Sequence, residues 1–335
     1  MRAAGVWAMK RALFHSGLLA LARLARQRVR GLVLRYHALT EGSAEVPYAS
    51  PDICLPVEAF RLQMAFVRRA YSVVPLDDVV GALAAGGPLP PRALVITFDD
   101  GYADNHRLGL PVLKRLGLTA TVYVATGPLE GGSPLWTSAV RALVLAAPGD
   151  TLDVPGLPPL ALGRAGERAD AVRALTRALV PLAPAAREER LAAAAGRAGV
   201  DLGRVLAGSM LTWGQVGELA ASGWTIGAHT VTHANVALAA EAEAEIGGSR
   251  DAIAAAAGVR PVHFAYPNTG GQHRYFGADV ARLLGRLGFR SAATSQPGAL
   301  RLGVDPFALP RVGVSPRLGG VIDLAAALER QRLAA

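Results

Sequence analysis

The chain has 335 residues, 51% of them hydrophobic, and a formal net charge of +9 at pH 7, a balance that supplies a sizeable core and argues against a disordered chain. The positive charge is almost all arginine, with lysine only at Lys10 and Lys114, and no basic patch interleaved with aromatics is present, so no nucleic-acid partner is expected. Cys54 is the single cysteine, which rules out an intramolecular disulfide.

Residues 6–30 read as a basic amphipathic helix. The apolar stretch at 18–24 is broken by Arg23 and followed by Arg26, Arg28 and Arg30, which suits neither a membrane-spanning helix nor a signal with a clean apolar centre. This helix is expected to pack on the domain or to make a peripheral membrane contact, and the chain to sit in the cytoplasm or on the cytoplasmic face of a membrane. The main domain, 31–335, opens on a buried-strand pattern at 31–36 that ends in His37. Residues 56–70 are predicted helical, with Phe60, Met64 and Val67 on one face, and 71–76 a strand. A helix over 79–85 follows, with an aspartate of the Asp77-Asp78 pair as its cap. Residues 86–91 form a loop by composition.

The organising stretch is 93–102, Ala-Leu-Val-Ile-Thr-Phe-Asp-Asp-Gly-Tyr. Its apolar run reads as a strand buried on both faces, ending in two adjacent carboxylates, with Gly101 free to turn the backbone sharply. A helix at 105–116 stops at Gly117, and 119–125 is the next strand. From 127 to about 210 the character changes to a loop at 148–163 and Ala-, Leu- and Arg-rich helices at 167–199. These are read as a helical insertion, 128–210, forming chiefly an outer layer; the alternative is a wall or lid of a substrate groove, with Trp136 lining it.

Strand and helix then alternate again: a helix at 212–222 capped by Thr212, a strand at 225–228, a helix at 241–257 closed by Gly258, a strand at 263–267, a helix at 278–287, a strand at 291–294, an extended segment at 307–314 carrying Arg311, and a terminal helix at 321–330. Repeated strand–helix units predict an α/β fold of barrel type, with reactive groups gathered at strand C-termini. His37, Asp99, His229, Asn268 and Arg311 follow that rule.

His229 and His233 are four positions apart, a spacing that on a helical turn brings both imidazoles to one face. With one added carboxylate they compose a catalytic zinc site that keeps an open position. His106 and His263 are read as structural, and Trp213 and Trp224 as core.

Three ordered motifs carry a resemblance. Thr97-Phe-Asp-Asp-Gly-Tyr102, His229-Thr-Val-Thr-His233 and Phe264-Ala-Tyr-Pro-Asn268, with the Tyr36-His37 element, resemble the polysaccharide deacetylase family, the NodB-homology or carbohydrate esterase family 4 group, over about 31–314. The resemblance implies a distorted (β/α) barrel and metal-dependent removal of N-acetyl, sometimes O-acetyl, groups from glycans, and the expected substrate is an amino-sugar unit of a glycan or its lipid-linked precursor. Carried over, Asp100, His229 and His233 bind a divalent metal, zinc by preference, and Asp99 is the general base. Where many members carry an arginine in the third motif and a tyrosine before its glycine, this chain has Ala265 and Asn268.

Arg311 is therefore the candidate to orient the base, with a plain structural arginine as the alternative. The family's late general-acid histidine is missing, so His37, then His273, is the candidate proton donor. Tyr102, Tyr266, Asn268 and Trp136 are the expected substrate contacts. The competing readings are a weak or inactive deacetylase-like glycan-binding protein and a metal hydrolase of small amides or esters. Oligomeric state is not legible.

Overall fold

A computed structural model describes residues 29–42, 45–129, 132–269 and 273–333. The predicted amphipathic segment lies outside the described residues, except that Val29 and Arg30 open the first strand rather than end a helix. Among the described residues no helix is long and apolar enough to cross a membrane.

One sheet organises the chain. In chain order its strands are β1 (Val29–Tyr36), β2 (Ser72–Val73), β3 (Ala93–Phe98), β4 (Thr121–Val124), β5 (Thr225–Ala228), β6 (His263–Ala265), β7 (Ser291–Ala293), β8 (Leu300–Arg301) and β9 (Val312–Gly313). The path runs β7-β6-β5-β4-β3-β1-β8, with β2 beside β3 and β9 beside β1. Every pairing is parallel except that of β8 with β1. The register of β1 on β3 pairs Gly31 with Ala93 and Tyr36 with Phe98, so both strands end at one level.

All six residues of β3 are buried, which is why it reads as an unbroken apolar run. Leu94, Ile96 and Phe98 pack outward with Tyr36, Phe60 and Trp224, the Phe98 and Trp224 rings stacked 5.4 Å apart. Val95 points the other way and meets Val33, Tyr123, Ala265, Ala293 and Leu309. That inner cluster, drawn from strands around the sheet, marks a barrel interior. Residues 309–314 join the two ends of the sheet. Leu309 donates to Ala292 O and accepts from Thr294 N, both at 2.9 Å, while Val314 N donates to Arg35 O at 2.9 Å. The parallel strands with helices packed outside them form the expected α/β fold, a distorted (β/α) barrel.

The helices are α1 (Val57–Ala70), α2 (Leu76–Ala84), α3 (Leu110–Leu116), α4 (Trp136–Ala146), α5 (Glu167–Leu179), α6 (Pro184–Ala198), α7 (Leu202–Val205), α8 (Trp213–Ala221), α9 (Ala242–Ala257), α10 (Ala278–Arg286) and α11 (Val321–Leu333). The helix predicted at 105–116 begins as a wide π turn over Asn105–Gly109, next to Pro111, which has no N–H for the ordinary helical bond. α2 starts at Leu76 behind Pro75, so Asp77 and Asp78 lie in its first turn and neither caps it. Asp77 instead accepts from His263 Nε2 at 3.1 Å and from Arg290. Only Ser72–Val73 of the strand predicted at 71–76 pairs, and of 307–314 only Val312–Gly313 is strand, behind the 3-10 turn Pro306–Ala308.

The insertion carries its own core, with Val140, Leu143, Leu175, Leu179 and Leu191 buried together. Its predicted loop contains a small hairpin, Thr151–Leu152 paired with Leu160–Ala161.

Candidate metal centre and pocket

The site is assembled one residue past the ends of parallel strands. Asp99 N donates to Tyr36 O, His229 N to Val124 O and Tyr266 N to Ala293 O, each at 3.0 Å, so the ladder continues into the site and fixes its backbone. Asp100 then turns away at φ 74° and Gly101 follows at φ 85°, where an added Cβ would lie 3.3 Å from Val124 Cγ1. Among the described residues the non-glycine positions with positive φ are Arg92, Asp100, Thr230 and His233. Three of the four belong to this site, where the strained backbone aims side chains.

That strain corrects the expectation of a helical turn. Residues 229–233 form an irregular loop, and left-handed backbone at Thr230 and His233 brings the two rings to 4.9 Å. Neighbouring backbone and Glu245 hold the loop. Gly127 N donates to Val231 O at 2.8 Å, and the buried Glu245 accepts from Val231 N, Thr232 N and Thr232 Oγ1 at 3.0, 2.9 and 2.7 Å. Trp136 Nε1 donates to His233 O at 3.3 Å.

His229 Nε2 and His233 Nε2 each lie 3.3 Å from Asp100 Oδ1, and all three residues are buried. His229 Nδ1 is 2.7 Å from Ala265 O, a partner that can only accept, so the ring proton sits there and Nε2 presents a lone pair to the carboxylate. A lone pair aimed at a carboxylate oxygen is a contact that a cation between them satisfies. The separations match adjacent corners of a tetrahedron with bonds of about 2.0–2.1 Å. The donor set of two imidazoles and one carboxylate therefore fits a divalent metal, and it is the one such group of three among the described residues.

Asp99 sits beside this triad. Both its oxygens are held by the buried Arg311, Nη1 donating to Oδ1 at 2.6 Å and Nη2 to Oδ2 at 2.7 Å, while Arg311 Nε donates to Thr294 O at 2.8 Å. Burial alone would raise the Asp99 pKa; Arg311, His229 and the paired hydrogen bonds overcome it and bring the group down to about 2. His37 Nε2 lies 3.9 Å from Asp99 Oδ2, its Nδ1 has no partner among the described residues, and burial lowers its pKa to about 4.

The sequence profile described as polysaccharide deacetylase matches residues 86–145 and 185–292. The chain belongs to the polysaccharide deacetylase family. YxkH of Bacillus subtilis (strain 168), named for the same family, is 27% identical over 93 residues, which span 28% of this chain and 30% of YxkH. The deacetylase PplD of Streptococcus pyogenes, solved in complex with acetate, superposes with a TM-score of 0.60 at 17% identity, covering 90% of this chain and 99% of PplD. IcaB of Ammonifex degensii superposes with a TM-score of 0.57 at 20% identity, covering 90% and 98%. These two share the fold.

In this family member the triad opens into a cavity of about 890 Å³ lined by His37, Asp99, Tyr102, Tyr266, Asn268 and His273, together with Arg35, Thr137, Arg141 and Arg177. α4 and α5 of the insertion supply one wall, so the insertion is more than the outer layer expected of it. Tyr102 is buried at the base against Tyr48, with ring centroids 5.4 Å apart. The Tyr266 hydroxyl donates to Phe307 O at 2.9 Å, which commits it to the scaffold. Trp136 does not line this cavity: it supports His233 from behind and faces a second cavity across α4. Arg311 precedes β9 instead of ending a strand, and reaches Asp99 from inside the barrel. His106 pairs with Glu218 at 2.7 Å and His263 with Ser291 and Asp77, both away from the cavity.

Sequence reasoning missed Glu245 and Arg35. A glutamate in the first turn of a helix looks like any dipole-favoured residue, and Arg35 looks like a break in a strand pattern.

Proposed function

We propose that this chain hydrolyses N-acetyl groups on an amino-sugar glycan or its lipid-linked precursor, with a divalent cation, zinc by preference, held by Asp100, His229 and His233. The observation that carries the reading is the ionised Asp99, gripped through both oxygens by Arg311 beside three convergent metal-ligand atoms. A cation held by those atoms would lower the pKa of water and polarise the acetyl carbonyl. Asp99 takes the proton of the attacking water. Arg311 orients that carboxylate and keeps it charged. Asp99 passes that proton to His37 Nε2, 3.9 Å from its Oδ2, and the imidazolium so formed gives it to the leaving nitrogen as the amide C–N bond breaks. The products are acetate and a free amine.

The cavity suits a sugar unit in size, and Arg35 and Arg177 on its wall favour a glycan that carries negative charge. Tyr102, Tyr266 and Asn268 would contact the sugar. Membrane association through the N-terminal segment belongs to the same proposal: removing residues 1–28, just before β1, should move the protein from membrane to soluble fractions.

Metal content and acetate release test the reading together. The purified chain should hold about one zinc ion, lost in Asp100→Ala and His229→Ala while both stay folded, and should release acetate from N-acetylated oligosaccharides. Metal-loaded protein that turns over small acetyl esters or amides but no glycan would give the site a different substrate class, and a chain that binds no metal after reconstitution would leave only glycan binding.

A further inference from the structure

The second cavity, of about 960 Å³, lies across α4 from the triad. The two cavities share no lining residue: Trp136, Ser138 and Ala139 face this one, Thr137 and Arg141 the other. Its walls are largely apolar, with Leu135, Leu191, Leu206 and Leu211 buried around it. At 300–1,000 Å³, roughly, such a space holds a small organic ligand.

Arg187 lines these walls although it is only 3% exposed. Its guanidinium carbon lies 4.7 Å over the Trp136 ring, its Nε has no hydrogen-bond partner, and it forms no ion pair among the described residues. Glu188 lines the same cavity without pairing with it. Charged side chains are almost never buried unpaired, and stacking on an indole offsets only part of the desolvation. A hydrogen-bonded anion is what this guanidinium lacks, since Glu245 acts on it only at a distance. Its planar fork matches a carboxylate, and the apolar walls beyond it match a hydrocarbon chain. Glu188 at the wall and the nearby Glu245 disfavour a second negative charge.

We propose that this cavity binds a single-chain amphiphile with one carboxylate, its head on Arg187 and its chain along Leu191, Leu206 and Leu211. The site is separate from the metal centre and owes nothing to the deacetylase reading.

Calorimetric titration of the full chain with dodecanoate, below its micelle concentration, tests it beside dodecanol and dodecyl phosphate. Dodecanoate should bind saturably with one site per chain. Arg187→Met, which keeps the stem, and Ala192→Trp, which fills the cavity from its exposed rim, should each weaken it at least tenfold. Dodecanol should bind at least tenfold more weakly than dodecanoate and be indifferent to Arg187→Met. Circular dichroism and melting confirm folded variants, and the alcohol comparison and Ala192→Trp carry the test if Arg187→Met fails to fold. Absent saturable binding, equal affinity for the alcohol, or undiminished binding by both folded variants would overturn the proposal. A tenfold preference for dodecyl phosphate would replace it with a phosphate site.

Discussion

Arg311 grips both oxygens of Asp99, at 2.6 and 2.7 Å, from 212 residues further along the chain. Arg311→Lys keeps the charge and loses the fork. Acetate release should fall at least tenfold, on the order of the loss expected when a reacting group is misplaced, with metal content unchanged. Arg311→Met leaves a buried carboxylate without its cation and should cost about 3–5 kcal/mol in urea unfolding. Full turnover by Arg311→Lys would end the orienting role.

Glu245 gathers the loop between the two histidines through three hydrogen bonds. Glu245→Ala frees that loop, and its metal affinity should drop about 10–100-fold, as supporting partners of metal ligands generally show. Competition with a chelator measures it. Equal affinity would mean that backbone bonds alone hold the loop.

Asp104 is a buried acid whose pKa is raised to about 7, burial outweighing the hydrogen bonds from Leu39 N, Tyr48 and Asn105. Between the unfolded value of about 4 and this folded value, the folded chain keeps a proton that the unfolded chain has lost. Stability therefore falls as pH rises through that window. Asp104→Asn lacks this slope. Melting curves from pH 5 to 8 should show the variant gaining on the parent by a few kcal/mol, of order 1–4 by linkage; parallel curves would refute it.

At the opposite end of the barrel, His263 Nε2 donates to Asp77 and its Nδ1 accepts from Ser291 Oγ at 2.8 Å. Asp77→Ala leaves a fully buried imidazole nitrogen unpaired and should cost about 1–3 kcal/mol. Metal content should not change, since the chain of bonds lies away from the triad. A metal-depleted variant would show that the two ends are coupled.

What could be read from the residues divides along the range of the interactions. The run at 94–98 announced itself because burial on both faces leaves no polar alternation, and Gly117 and Gly258 mark helix ends by local chemistry. Asp100, His229 and His233 are legible as ligand types, yet the spacing of the two histidines reads as a helical turn, because left-handed backbone at Thr230 and His233 is enforced by neighbours that spacing does not reveal. Asp77 looked like a cap for the same reason: its partners His263 and Arg290 lie 186 and 213 residues away. Arg311 could be nominated from a missing charge in the third motif, while its bidentate hold on Asp99 exists only in three dimensions. Trp136 reads as a groove residue, but one side of α4 faces each cavity, and which side a residue takes depends on how the insertion docks.

Residues 309–314 close the barrel and carry Arg311 in the same few residues. During synthesis Asp99, Asp100, His229 and His233 all emerge before the cation that neutralises the base. Until that seam pairs, Asp99 lacks the guanidinium that grips both its oxygens, so completing the barrel and orienting the carboxylate go together. A truncated or misregistered chain would be silent as well as loose.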